Sequence, residues 1–176
     1  MNHQFTPEIY YNTIGSHEPV LRVSNGDMIS TTTIDAWGYD AENNKVGKRG
    51  NPMTGPFYIE GAEKGDSLAV TFDRIIPNRK IAWTRCAIAP NVLDPDYYPE
   101  FDDDKVKIAW ELNLDNNIAR PLDVDPPLSN LRIPLRPMPG CFGVAPPNGQ
   151  AISTATSSTH GGNMDYNGFV QGVTVY

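Results

Sequence analysis

The residues best suited to chemistry lie near the end of the sequence, in Thr159-His160-Gly161-Gly162-Asn163-Met164-Asp165. Imidazole and carboxylate are common nitrogen and oxygen ligands of a divalent cation. The spacing predicts a tight turn on the two glycines that would bring His160 and Asp165 together. The same pair could instead present the backbone amides of Gly161 and Gly162 to an oxyanion, with Asn163 beside them on the substrate. A plainer alternative is a loop histidine bonded to its neighbours.

Other ligand types are scattered. His17-Glu18 stands before Pro19, and Asp35 and Asp40 lie five residues apart. His17 reads equally well as a surface residue and Asp35 as a turn former, while His3 reads as solvated. Ser153, Ser157 and Ser158 are near His160, yet the sequence has no Gly-x-Ser-x-Gly elbow to present an activated serine. Nor does it contain Gly-x-Gly-x-x-Gly, a phosphate loop or Cys-x-x-Cys, which leaves dinucleotide, nucleoside-triphosphate and zinc-ribbon functions without a motif.

Short strands would have to position these groups. Val20 to Val23 meets the turn Ser24-Asn25-Gly26-Asp27 and continues through the β-branched run Met28 to Asp35. Phe57 to Glu60 meets Gly61 to Asp66 and continues from Ser67 to Ile76 in the same design. The resemblance between the two segments fits either an internal repeat or shared turn chemistry alone. Between them, residues 39–54 read as a polar loop of about 15 residues, a length at which loops are often functional. Residues 89–104 form a second irregular region, with an acidic run at Asp102-Asp103-Asp104.

Further on, Val106, Ile108, Trp110, Leu112 and Leu114 alternate along one face of a half-buried strand. Prolines at 121, 126, 127, 134, 137 and 139 predict an extended crossing from Arg120 to Gly140 instead of a sheet centre. A last strand is expected over Phe169 to Tyr176, with a turn of helix at Asn163 to Gly168. No segment shows 3.6-residue amphipathicity with both caps. Fifteen Gly and sixteen Pro punctuate the short apolar runs, so the expectation is one mainly β domain over residues 1–176.

A net charge of −7, with no basic cluster longer than Lys48-Arg49, argues against nucleic acid as a partner. The amino terminus lacks a basic start followed by an apolar stretch, and no run approaches the roughly 18 apolar residues of a membrane span. The expected setting is cytoplasmic, where Cys86 and Cys141 read as buried free thiols. Neither cysteine has a neighbouring His or Lys in sequence to activate it.

Three blocks occur in order: Asn51-Pro52-Met53-Thr54-Gly55-Pro56-Phe57-Tyr58-Ile59-Glu60-Gly61-Ala62-Glu63-Lys64-Gly65-Asp66, Pro139-Gly140-Cys141-Phe142-Gly143-Val144-Ala145-Pro146 and His160-Gly161-Gly162-Asn163-Met164-Asp165. Together they resemble the acetamidase/formamidase family from about Val20 to Tyr176. The resemblance implies a mainly β sandwich or barrel, an oligomer that is often a homodimer, and hydrolysis of a small aliphatic amide to carboxylate and ammonia. It also implies a divalent metal, with zinc the default for a histidine and carboxylate set. On this resemblance Asp165 is the first metal ligand, His160 a ligand or proton carrier, and Asp35 a third ligand at the acidic position after the first strand pair. Trp37, Phe57 or Met164 would wall a small pocket.

Members of that family resemble longer chains that continue past Val173 to Tyr176 into a further Gly, Asp, His and Glu motif. The fold is therefore expected to be incomplete at the C-terminus, as a fragment, a truncated gene or one half completed by a companion chain, and turnover by these residues alone is expected to be low. The alternatives are a noncatalytic β module and a carbohydrate-binding sandwich using Trp37, Trp83 and Trp110, side chains that equally suit a core.

Overall fold

The computed structural model of the protein describes residues 1–85 and 107–176. Cys86, the irregular stretch 89–104 and Val106 lie outside the described residues. The fold is mainly β. In chain order the strands are β1 (Asn2–Phe5), β2 (Thr13–Ile14), β3 (Leu21–Val23), β4 (Met28–Thr31), β5 (Phe57–Ile59), β6 (Val70–Thr71), β7 (Ile81–Arg85) and β8 (Lys107–Asn113). They continue as β9 (Ile118–Pro121), β10 (Ile133–Pro134), β11 (Cys141–Gly143), β12 (Ile152–Ser153), β13 (Ser157–Ser158), β14 (Gly161–Asn163) and β15 (Thr174–Val175). Two single 3-10 turns, Leu128–Asn130 and Pro147–Gly149, are the helical elements among the described residues. No helix among them is long and apolar enough to cross a membrane.

The chain divides into two compact units, one of Met1–Ile75 with Pro137–Tyr176 and one of Ile76–Arg136. The second unit is an antiparallel sheet in the order β10-β9-β8-β7. Its longest strand, β8, is half-buried from Ile108 to Leu112 on both faces, whereas Leu114, expected on the same buried face, lies beyond the strand and is exposed. Trp83 opposes Ala109 and Trp110 opposes Ala82, so strand pleating sends the two tryptophans to opposite faces and they cannot share one sugar-stacking platform. The proline-rich stretch differs from expectation at its start, because Arg120 and Pro121 finish β9, an inner strand. Pro121 is tolerated there as the terminal residue, where the missing N–H interrupts little of the ladder, and Pro134 lies on the edge strand β10.

The first unit is assembled from five small sheets, β1-β4, β3-β5, β2-β12, β6-β15 and the three-stranded β11-β14-β13. The two similar segments meet here, for β3 runs parallel to β5 in the register Leu21↔Phe57 and Val23↔Ile59. Their turns use identical bonds. Asp27 N–H donates to Ser24 O at 3.0 Å while Asp27 Oδ2 accepts from Ser24 N–H at 3.0 Å. Asp66 N–H donates to Glu63 O at 3.1 Å and Asp66 Oδ2 accepts from Glu63 N–H at 2.8 Å. Gly26 and Gly65 take the positive φ of 83° and 99° that each turn requires.

The strands that follow these turns are shorter than the β-branched runs suggest. β4 ends at Thr31, well before Asp35, and β6 covers only Val70–Thr71. At the far end, the strand expected from Phe169 contracts to Thr174–Val175, because Gly172 at φ 84° turns the chain and Val173 N–H bonds Val170 O. Residues 163–168 form no helical turn, since Gly161–Asn163 is a paired strand. Few aliphatics are sealed off. Ile14 at 8% exposure and Val23 at 4% are the buried hydrophobic side chains of this unit among the described residues.

Candidate functional site

The second and third sequence blocks are the two strands of one hairpin-like pair. β11 runs antiparallel to β14 with Cys141↔Asn163, Phe142↔Gly162 and Gly143↔Gly161, and β13 flanks β14 on its other side. Glycine is required because the backbones crowd: a Cβ on Gly143, Gly161 or Gly162 would collide with the carbonyl oxygen of His160, Phe142 or Thr156 respectively. Gly161 and Gly162 also take φ of 88° and 103°.

This geometry changes the expected role of the glycine pair. The glycines lie in a strand instead of a tight turn, and His160 and Asp165 stand at its opposite ends. Val144 N–H bonds His160 O at 2.9 Å at one end, and Met164 and Asp165 N–H bond Gly140 O at 2.9 and 3.0 Å at the other. A middle strand paired on both sides directs its amides toward ladder partners rather than toward a bound anion. Asn163 is likewise engaged, its N–H on Thr156 O at 3.0 Å and its amide Nδ2 on Ala155 O at 3.4 Å.

His160 is the most consequential side chain of the pair. Only 4% exposed, it lies over Gly162, and its Nε2 is buried without a hydrogen-bond partner. Such an atom is uncommon in a folded protein, because an unmet buried polar group costs about 1–3 kcal/mol. Asp165 is exposed, adopts φ 42° and sets its carboxylate over Gly140. Cys141 is a half-buried free thiol pushed up to about 11 by burial and by the Asp165 charge, which makes it a poor nucleophile at neutral pH.

The remaining candidates are tied into local structure. Asp35 Oδ1 accepts from Trp37 N–H at 2.9 Å and Tyr39 N–H at 3.0 Å, organising its own turn. Asp40 does the same for Asn44, accepting from its backbone N–H at 2.7 Å. His17 stacks on Tyr11 with ring centroids 3.7 Å apart and reaches Thr13 Oγ1 at 2.7 Å through Nε2. His3 is partnered after all, with Nε2 2.9 Å from Asp27 Oδ2. Of the suggested pocket walls, Trp37 lies under the Arg49 guanidinium at 4.3 Å, Phe57 meets Phe5 edge-on at 5.4 Å, and Met164 is half-buried. Among the described residues no three His, Cys, Asp or Glu side chains come together as a group that could hold a metal ion.

The residue that sequence reasoning missed is Thr154, which is fully buried. Its hydroxyl lies 2.7 Å from Gly50 O and 3.1 Å from Asn12 O, two acceptors for one proton. Its carbonyl accepts from Asn51 Nδ2 at 3.1 Å and from Cys141 Sγ at 3.4 Å. Asn12 Nδ2 closes the knot by donating to Gly50 O at 2.7 Å and Arg49 O at 3.2 Å. Asn51 opens the first sequence block and Cys141 lies in the second, so one carbonyl joins both, and β14 adds the third by pairing with β11. One threonine among the small residues Ser153-Thr154-Ala155-Thr156 carries no signal of this role.

A model of the family described as acetamidase/formamidase matches residues 15–151. The chain belongs to the acetamidase/formamidase family. The matched span includes the first two blocks and ends before His160. Among solved structures, an acetamidase from Bacillus halodurans is similar at TM-score 0.71 and 23% identity, covering 97% of this chain and 55% of its own. A predicted acetamidase/formamidase from the thermophile Thermoanaerobacter tengcongensis is similar at TM-score 0.68 and 22% identity, covering 99% of this chain and 59% of its own. The 176 residues thus span little more than half the length of these relatives, with which they share the fold. No curated protein matches the sequence.

Proposed function

We propose that this chain carries part of the site of a metal-dependent hydrolase that converts a short aliphatic amide, formamide or acetamide in type, to carboxylate and ammonia. One observation carries the reading: the buried, unpartnered Nε2 of His160. A buried imidazole nitrogen with no hydrogen-bond partner suits a borderline cation such as zinc. Asp165 and Asp35 are the further donors of this reading, but Asp165 stands at the opposite end of β14 from His160 and Asp35 serves its own turn, so the three do not cluster among the described residues. The donor set therefore fits a divalent ion only in part, and the remaining ligands are assigned to the portion of the family fold that has no counterpart here.

A bound divalent ion would supply Lewis acidity, lowering the pKa of water and polarising an amide oxygen. The chain's own residues contribute position and proton handling. The sheet β11-β14-β13 fixes the backbone of His160 on one side, and burial keeps bulk water from its Nε2. A carboxylate not spent on the ion would take the proton of the attacking water and return it to the departing nitrogen, because the nitrogen leaves poorly unless protonated. Cys141, with its thiol raised, holds the hairpin to Thr154 and takes no covalent part.

Zinc-loaded protein assayed for ammonia release from formamide and acetamide tests the reading, alongside metal content by elemental analysis. His160→Ala is expected to abolish metal retention. Asp165→Ala is expected to reduce metal content and to lower any turnover at least a hundredfold. Full metal content and activity in both variants would overturn the site assignment. The 176-residue chain by itself is expected to turn over little substrate.

A further inference from the structure

The ribbon β6-β15 is two-faced. Thr71 and Thr174 oppose one another on one side, their hydroxyls 2.7 Å apart, while strand alternation places Val70 and Phe72 on the other. β11 repeats the division, with Cys141 turned to Thr154 and Phe142 and Val144 facing away from it. The two apolar sides join through aromatic rings in T-shaped contact. Phe72 meets Phe142 at 5.1 Å, Phe142 meets Phe169 at 5.0 Å, and Phe169 meets Tyr166 at 5.1 Å.

A linked row of four aromatics is ordinarily core material. Here it lies open, with the three phenylalanines only half-buried and Tyr166 59% exposed. Val70 and Val144, at its margins, are 43% and 46% exposed. A two-stranded ribbon with an uncovered apolar side is marginal in water and needs a further layer.

The relatives supply a candidate for that layer. This chain maps almost wholly onto the Bacillus halodurans acetamidase yet accounts for 55% of it, so the rest of that fold has no counterpart in these residues. We infer that the Val70, Phe72, Phe142, Val144, Tyr166 and Phe169 face docks a polypeptide supplying the remainder of the family fold. The docking partner is expected to present an apolar surface of its own to this face. Asp165 adjoins Tyr166, and Val144 bonds the carbonyl of His160, so the docked layer reaches both ends of the proposed site.

Sedimentation velocity on the 176-residue chain, alone and mixed with the separately expressed unmatched portion of the Bacillus halodurans acetamidase, tests the inference. The expected result is a one-to-one complex, weakened roughly thirtyfold or more by Tyr166→Glu or Val70→Glu, because each would bury an unpaired charge. Both positions are exposed enough that far-UV circular dichroism should remain unchanged. Failure to form a complex, or a complex indifferent to both substitutions, would overturn the inference. Self-association abolished by the same substitutions would seat a second copy on the face and would also overturn it. The metal content of the complex is a separate readout: a complex without metal sinks the proposed hydrolytic site while leaving the docking face standing.

Discussion

The two units hold themselves together by different means. Ile76–Arg136 is organised by a continuous antiparallel ladder, whereas Met1–Ile75 with Pro137–Tyr176 consists of two- and three-stranded patches joined by side-chain bonds to backbone carbonyls. A ladder repeats one bond pattern and tolerates the loss of any single side chain. A knot of polar groups around Thr154 concentrates the same task in a few atoms, and its members are each exposed to single substitutions. The candidate site lies in the unit built the second way. Loops pinned individually can place an imidazole and a carboxylate at chosen points, which a regular sheet does less freely.

The largest effect should come from the knot. Thr154→Ala removes the hydroxyl bonded to Gly50 O and leaves a small cavity in a fully buried position, at a cost of about 3 kcal/mol. In the other unit Thr84→Val removes the acceptor of the Trp110 indole N–H at an exposed position, and the loss should stay within about 0.5 kcal/mol. Urea denaturation of both variants checks the pair. Equal losses would show that the knot is no more critical than a surface bond.

The ladder should yield to volume instead. Ala119, 8% exposed on the inner strand β9, opposes Leu112, and Ala119→Leu would overpack that position by about 2 kcal/mol. Site-resolved amide hydrogen exchange separates the two mechanisms. Ala119→Leu is expected to speed exchange in β7 to β10 and Thr154→Ala in β11 to β14, and the opposite pattern would erase the distinction between the units.

The sequence made the ladder more legible than the knot. Alternation along Ile108, Trp110 and Leu112 is a local pattern, and β8 ends at Asn113, within a residue of the expected Leu114. The twin Gly-Asp turns were also readable, since a glycine at positive φ and an aspartate closing on its own backbone are local chemistry. Pairing was not: nothing in Leu21–Val23 says that it lies parallel to Phe57–Ile59 instead of folding back on Met28–Thr31. The block His160 to Asp165 was found through its residue types and its resemblance to a family. Its glycines were misread because crowding by the carbonyls of Phe142 and Thr156 arises only after distant strands meet. Thr154 escaped for the same reason, as its partners Asn12, Gly50 and Asn51 are more than a hundred residues away.

The smallest effect sharpens the contrast electrostatically. The Asp27 carboxylate is held well below the usual range by the Met1 amine, then by Ser24 N–H and by His3. Glu111, on the ladder, is lowered chiefly by a single partner, Arg120. A carboxyl whose folded pKa lies below its unfolded value contributes stability above about pH 4, and that contribution disappears as pH falls toward the folded value. The melting temperature of the wild-type chain should therefore decline below about pH 4, and both Asp27→Asn and Glu111→Gln should flatten the decline. Asp27→Asn should flatten it more, because three donors meet its carboxylate in the knotted unit against one guanidinium on the ladder, where exposure screens the pair. An acid limb unchanged by Asp27→Asn, or changed more by Glu111→Gln, would show that the amino-terminal contacts do not hold β1 against β4.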